Sequence, residues 1–178
     1  GKSGTKFDIA KAKWFNEHYL RSKTQEDLIA YLQQDALAAG TTLSQEKAGA
    51  IVSLLRDRVT LPGDFWKDSQ FLHQAPSDFD SEVAAKKWNT DAVTLLQAYA
   101  GALESGVATP FDGTAAKALL ESSAEASGIK LGKVMQAVRL AVTGLGAGPD
   151  LMEVFAILGP QEVAKRIRFA LDTLATVD

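Results

Sequence analysis

The chain contains no cysteine, and only two histidines and two methionines among 178 residues. Without thiols it can hold neither a disulfide framework nor a thiolate zinc site. His18 and His73 fall far apart in different expected elements, with no H-E-x-x-H and no carboxylate pair at ligand spacing, so a metal site has no motif to stand on. There is no G-x-S-x-G elbow, which leaves covalent acyl chemistry unsupported. Glycine and proline are sparse, at 14 and 5 residues, and no run alternates apolar and polar positions with β-branched enrichment, so strands are not expected. No apolar run approaches a membrane span, and the opening GKSGTKFD lacks the apolar core of a signal peptide. The expectation is a soluble, cytoplasmic chain. Gly1-Lys2-Ser3-Gly4 mimics the end of a phosphate loop, but the earlier glycine and the strand that such a loop needs are missing.

Charge is weakly negative overall, with a formal net of -3, and it is unevenly spread. Residues 1–70 carry ten basic against nine acidic side chains, residues 71–127 three against eight, and residues 128–178 six against five. Total charge would not announce a nucleic-acid partner, yet either end can present a local basic surface.

What the chain has is helical periodicity. A helix is expected from Asp8 to Arg21, with Ala12, Phe15 and Tyr19 on one face. Thr24-Gln25-Glu26-Asp27 reads as a capping box opening a second helix that ends at Ala38-Ala39-Gly40. Ser44 caps a third, which carries Ala48, Ile51, Val52, Leu55 and Val59 inward; Leu61-Pro62-Gly63 then breaks the pattern ahead of a short aromatic helix from Asp64 to Leu72. Periodicity lapses from Gln74 to Asp80. Further helices are expected over Glu82–Trp88, Asp91–Glu104, Thr114–Ser127, Leu131–Thr143, Pro149–Leu158 and Pro160–Leu174. Gly128, Gly144 and Gly159 stand where C-terminal caps are needed, and Pro149 and Pro160 where first-turn prolines are tolerated. The fold class is all-α, as two packed helical subdomains over residues 1–73 and 74–178.

The densest stretch is Gly128 to Leu158. Leu131, Val134, Met135, Val138 and Val142 give its first helix an apolar face, while Gly132, Gln136, Arg139 and Thr143 form a narrow polar stripe on the other side. Something can lie close against that stripe. Lys130-Leu131-Gly132, Val134, Gln136, Arg139, Ala141 and Thr143-Gly144, followed by Pro149, Leu151, Glu153 and Leu158-Gly159, resemble the C-terminal anticodon-binding region of glutamyl-tRNA synthetases. At the other end, Trp14, Asn16 and Tyr19-Leu20-Arg21 look like the segment that follows the catalytic part of those enzymes. The resemblance runs from about residue 6 to about residue 172.

The resemblance implies a helix-cage subdomain over residues 1–73 and a C-terminal anticodon-binding subdomain over 74–178, with the glutamate tRNA as partner, no DNA and no membrane. It implies that the catalytic domain lies upstream, so the chain is a fragment that should not be active alone; the missing initiator methionine agrees with that. It needs no cofactor of its own, while the parent ligase would use ATP and Mg²⁺. By resemblance, Arg139 and Leu151 contact the first two anticodon bases, with Gln136 beside them. Gly148 stands where some relatives carry a hydroxyl before the proline, so a side-chain bond to a base is lost or replaced by backbone.

Arg58 is the most consequential residue. An arginine matching it goes with discrimination of the third anticodon base, cytosine in the glutamate tRNA against guanine in the glutamine tRNA. Cytosine offers N3 and O2 acceptors to a guanidinium, whereas guanine turns N1–H and N2–H₂ donors towards it. On a continuous helix Arg56 and Arg58 would stand about 200° apart, so one of them at most faces a given ligand. The competing reading pairs Arg58 with Asp57 or Asp64 at the surface.

Trp14 with Phe15, and Phe65 with Trp66, are expected to fill helical cores. Lys165, Arg166 and Arg168 are read as complementing a helix dipole sooner than touching phosphates. The main rival for the whole chain is a helical protein-interaction module with no RNA role, and a third reading is a synthetase of the glutaminyl or non-discriminating type, the latter disfavoured by an arginine at position 58.

Overall fold

A computed structural model describes residues 9–178, and the phosphate-loop mimic at Gly1–Gly4 lies outside them. The described residues are helical throughout, with no strand; their one bridge joins Asn89 to Val177. They divide into two compact units, one up to Gln70 and one from Phe71 onwards.

The first unit comprises α1 (Ile9–Ser22), α2 (Gln25–Ala38), α3 (Gln45–Leu55) and α4 (Asp64–Lys67), and α5 (Gln70–His73) straddles the division. The capping box forms as its sequence dictates: Thr24 Oγ1 accepts from Asp27 N–H while an Asp27 carboxylate oxygen accepts from Thr24 N–H. Ser44 caps α3 through Lys47 N–H. Leu28, Leu32, Ile51, Val52 and Phe65 interdigitate where α2, α3 and α4 meet, each burial contributing roughly 1.5–3 kcal/mol.

Two expectations fail here. Trp14 and Phe15 are 57% and 56% exposed, so they do not fill a core, and Tyr19 is exposed beside them. The rings pack on each other instead, Trp14 stacking on His18 at 5.2 Å and meeting Phe15 edge-on at 5.3 Å. Leu20 is the buried side chain of α1. The third helix stops at Leu55, so Arg56 and Arg58 belong to a turn and Val59 is buried from outside the helix. The turn closes because Arg58 N–H reaches Leu55 O three residues back, a tighter bond than the helix uses.

The second unit holds α6 (Ser81–Lys87), α7 (Thr90–Glu104), α8 (Gly113–Ala126), a 3₁₀ turn (Leu131–Lys133), α9 (Met135–Thr143), α10 (Leu151–Leu158) and α11 (Pro160–Thr173). α11 lies along α7 and α9, α8 packs on α7 and α10, and α6 sits on α9. Trp88, Leu95, Leu96, Tyr99, Leu103, Leu120, Leu140 and Phe155 fill the interior of this unit; of the Phe65 and Trp66 pair expected to fill the core of the first unit, Phe65 is fully buried and Trp66 half-buried. Tyr99 stacks against Phe155 at 6.0 Å and donates its hydroxyl to Ala116 O; burial pushes its pKa up.

Arg166 departs from the dipole reading. Its guanidinium is buried, donating to Phe71 O, to Val142 O and to the Glu162 carboxylate, so it ties three elements together. Pro149 sits ahead of the α10 cap, Asp150, and outside the first turn; Asp150 Oδ1 accepts from Met152 and Glu153 N–H. Pro160 does occupy the first turn of α11.

Candidate nucleic-acid interface

The expected single helix over 131–143 is broken into the 3₁₀ turn and α9, which meet at Val134. Gln136, Arg139 and Thr143 keep their common face because all three lie on α9. What lies against that face is the chain's own glycine-rich loop. Gln136 Nε2 donates to Gly146 O at 3.2 Å, Arg139 Nη1 donates to Pro149 O at 2.8 Å, and Thr143 Oγ1 accepts from Leu145 N–H at 3.1 Å. Loop carbonyls without a ladder need donors, and α9 supplies them at successive turns.

The loop is pinned from its other side as well. Gly144 adopts φ +77, ends α9, and accepts from Asp80 N–H. A β-carbon there would approach Asp78 O at 2.8 Å, and one at Gly146 would strike Val83 Cγ2 at 2.6 Å. At Gly148 a β-carbon would lie 3.0 Å from Arg139 Nη1. That glycine therefore leaves the guanidinium its place. Arg139 is half-buried, Gln136 is exposed, and Leu151 is 4% exposed at the first position of α10. Burial puts Leu151 in the interior and leaves only a sliver of it for a base to touch.

Arg58 belongs to the other unit, where Lys13, Glu17, Leu20, Arg21, Arg56, Asp57, Arg58, Val59 and Thr60 surround a cleft of about 400 Å³. The two arginines of the turn are spent differently. Arg56 donates to Lys23 O at 2.6 Å, to Leu20 O and to Gln25 Oε1, closing the end of α1. Arg58 is exposed and makes no ion pair within 4.0 Å among the described residues. Asp64, the partner considered from sequence, instead accepts from Thr60 and Leu61 N–H and holds the chain as it leaves the turn. The separate roles of Arg56 and Arg58 follow from the turn, where the sequence reading had set them apart by helical phase. The side chains that clasp the glycine loop were legible as a stripe, but their partner was not.

Among the described residues no group of three or more His, Cys, Asp or Glu could hold a metal ion, and no helix is long and apolar enough to cross a membrane.

Residues 18–171 match the family model described as an anticodon binding domain. The glutamate-tRNA ligase of Cytophaga hutchinsonii is 44% identical over 175 residues, covering 98% of this chain and 34% of the relative. That of Amoebophilus asiaticus is 36% identical over 177 residues, covering 99% and 34%. A crystal structure of a glutamate tRNA ligase from Elizabethkingia meningosepticum, in complex with its amino acid, matches with a TM-score of 0.86 at 32% identity, over 95% of this chain and 33% of that one. The chain thus spans about a third of the length of the curated relatives it matches.

Proposed function

The chain belongs to the anticodon-binding domain family of glutamate-tRNA ligases, and we propose that it supplies tRNA selection to a cytoplasmic ligase joining L-glutamate to the glutamate tRNA. ATP and Mg²⁺ would serve the catalytic domain of that enzyme. This chain alone would not aminoacylate.

The observation that carries the reading is Arg58: an exposed guanidinium in a cleft, paired with no acid among the described residues and not needed to close the fold. Opposite cytosine its N–H groups meet N3 and O2; opposite guanine they face donors, and a buried mismatch of that kind costs roughly 1–3 kcal/mol. Arg58 is thus the selector of the third anticodon base, and the ligase is of the discriminating kind. In the other unit, Arg139 and Gln136 are preorganised by their bonds to the loop, which spares a ligand the entropy of ordering them. They address the first two bases with the backbone around Gly148, and Leu151 contributes the small apolar surface it still exposes.

Binding of the chain to transcripts of glutamate and glutamine tRNA, at several salt concentrations and with Arg58→Gln in parallel, tests this. Preference for the glutamate tRNA that collapses in the variant supports it. Binding with no preference removes Arg58 as selector. Absence of binding even at low salt leaves the missing catalytic domain or the protein-interaction module, and repeating the measurement with the upstream domain attached decides between them.

A further inference from the structure

The cleft beside Arg58 has a second basic wall. α1 contributes Lys13 and Arg21, eight residues apart, which places them about 12 Å apart along the helix axis. Both are exposed, and neither makes an ion pair with Glu17, Asp57 or any other carboxylate among the described residues. Of the four cations lining the cleft, Arg56 is committed to backbone carbonyls. Lys13, Arg21 and Arg58 are left facing it. Leu20 and Val59 are nearly fully buried and form its floor.

The two walls differ in what they can read. From α1 come two cations, the half-buried Glu17 between them, and Leu20, a set that offers charge without a fixed donor and acceptor pattern for a base edge. A nucleic-acid strand rises about 3.4 Å per nucleotide when stacked, so the span from Lys13 to Arg21 passes more than one phosphate. We propose that Lys13 and Arg21 hold two phosphates about three to four steps apart on one strand, spanning the nucleotide whose base Arg58 reads. The α1 wall then provides sequence-independent anchoring, and the turn after α3 provides the choice of base. This rests on the reading of Arg58 given above. Glu17 is the counter-charge that keeps the grip reversible.

The test is the slope of log affinity against log salt for the same two tRNAs, using the chain and the double variant Lys13→Gln/Arg21→Gln. Each phosphate contact to a single strand contributes about 0.7 to the slope, so the double variant should flatten it by about 1.4. Between about 50 and 200 mM salt the unsubstituted chain then loses about sevenfold more affinity than the variant. The ratio between the two tRNAs should not move. Lys13→Arg/Arg21→Lys should restore the slope, which a merely structural role would not require, and Glu17→Gln should tighten both tRNAs alike. If the double variant fails to fold by circular dichroism, each single variant should flatten the slope by about 0.7. An unchanged slope, or a changed ratio between tRNAs, overturns the proposal. If Arg58→Gln still abolishes preference while the slope is unchanged, the anchoring fails and the reading of Arg58 survives. If neither tRNA binds at low salt even with the upstream catalytic domain attached, both fall.

Discussion

The guanidinium of Arg139 lies 2.8 Å from the carbonyl oxygen of Pro149, so the residue proposed to address the anticodon also clasps the glycine-rich loop. Gly148 is the intervening space, with 3.0 Å between its would-be β-carbon and Arg139 Nη1. Gly148→Ala should displace the guanidinium by a few tenths of an ångström and leave stability within about 0.5 kcal/mol, since the backbone there does not demand glycine. Affinity for the glutamate tRNA should fall. Urea midpoints beside binding curves check both halves, and a variant that destabilises without weakening binding would refute the coupling.

Arg56 and Arg58 should separate cleanly in stability measurements. Arg56→Ala removes donors from Lys23 O, Leu20 O and Gln25 Oε1 and should cost on the order of 2 kcal/mol. Arg58→Ala removes an exposed side chain without an ion pair and should cost less than about 0.5 kcal/mol. Chemical denaturation followed by circular dichroism decides, and equal losses would contradict the assigned division of labour.

Arg166 is the buried tie of the second unit. Arg166→Met keeps the volume but leaves Phe71 O and Val142 O without their donor, so the unfolding free energy should drop by about 3 kcal/mol. Glu162→Gln should cost far less, because a neutral oxygen can still accept from the guanidinium. The denaturant midpoints of the two variants give the comparison.

The exposed pair of Glu104 and Arg168 joins α7 to α11 and sets a pH dependence. The hydrogen bond from Arg168 holds the Glu104 carboxyl below its ordinary value of 4.5. A depressed folded value means that the pair's stabilisation is fully present above the ordinary value and is lost as pH falls through the folded one. Glu104→Gln should therefore be less stable than the unsubstituted chain at about pH 6, and the difference should shrink as pH falls below the ordinary carboxyl value. High salt should narrow the gap at the upper end, since an exposed pair is screened.

The sequence by itself determined the all-helical class, most helix starts, and the stripe of Gln136, Arg139 and Thr143. These are local matters: Thr24 and Ser44 cap because hydroxyls satisfy N–H groups three residues on, and apolar spacing names the buried face of α2, α3 and α7. The family resemblance was likewise carried by short motifs, Lys130-Leu131-Gly132 through Thr143-Gly144 above all, and the match of residues 18–171 agrees.

Only the tertiary structure decided how the basic side chains are spent. Arg56, Arg58 and Arg166 have the same chemistry in sequence, yet one closes α1, one stays exposed beside a cleft, and one is buried under three elements. Nothing in their neighbours fixes this, because the carbonyls that Arg56 and Arg166 reach lie up to 95 residues away. The same holds for α1, whose aromatic run looks like a core strip but is left exposed because Leu20 alone turns inward. Periodicity specifies that a helix has an apolar face; whether another element covers that face depends on where the chain returns.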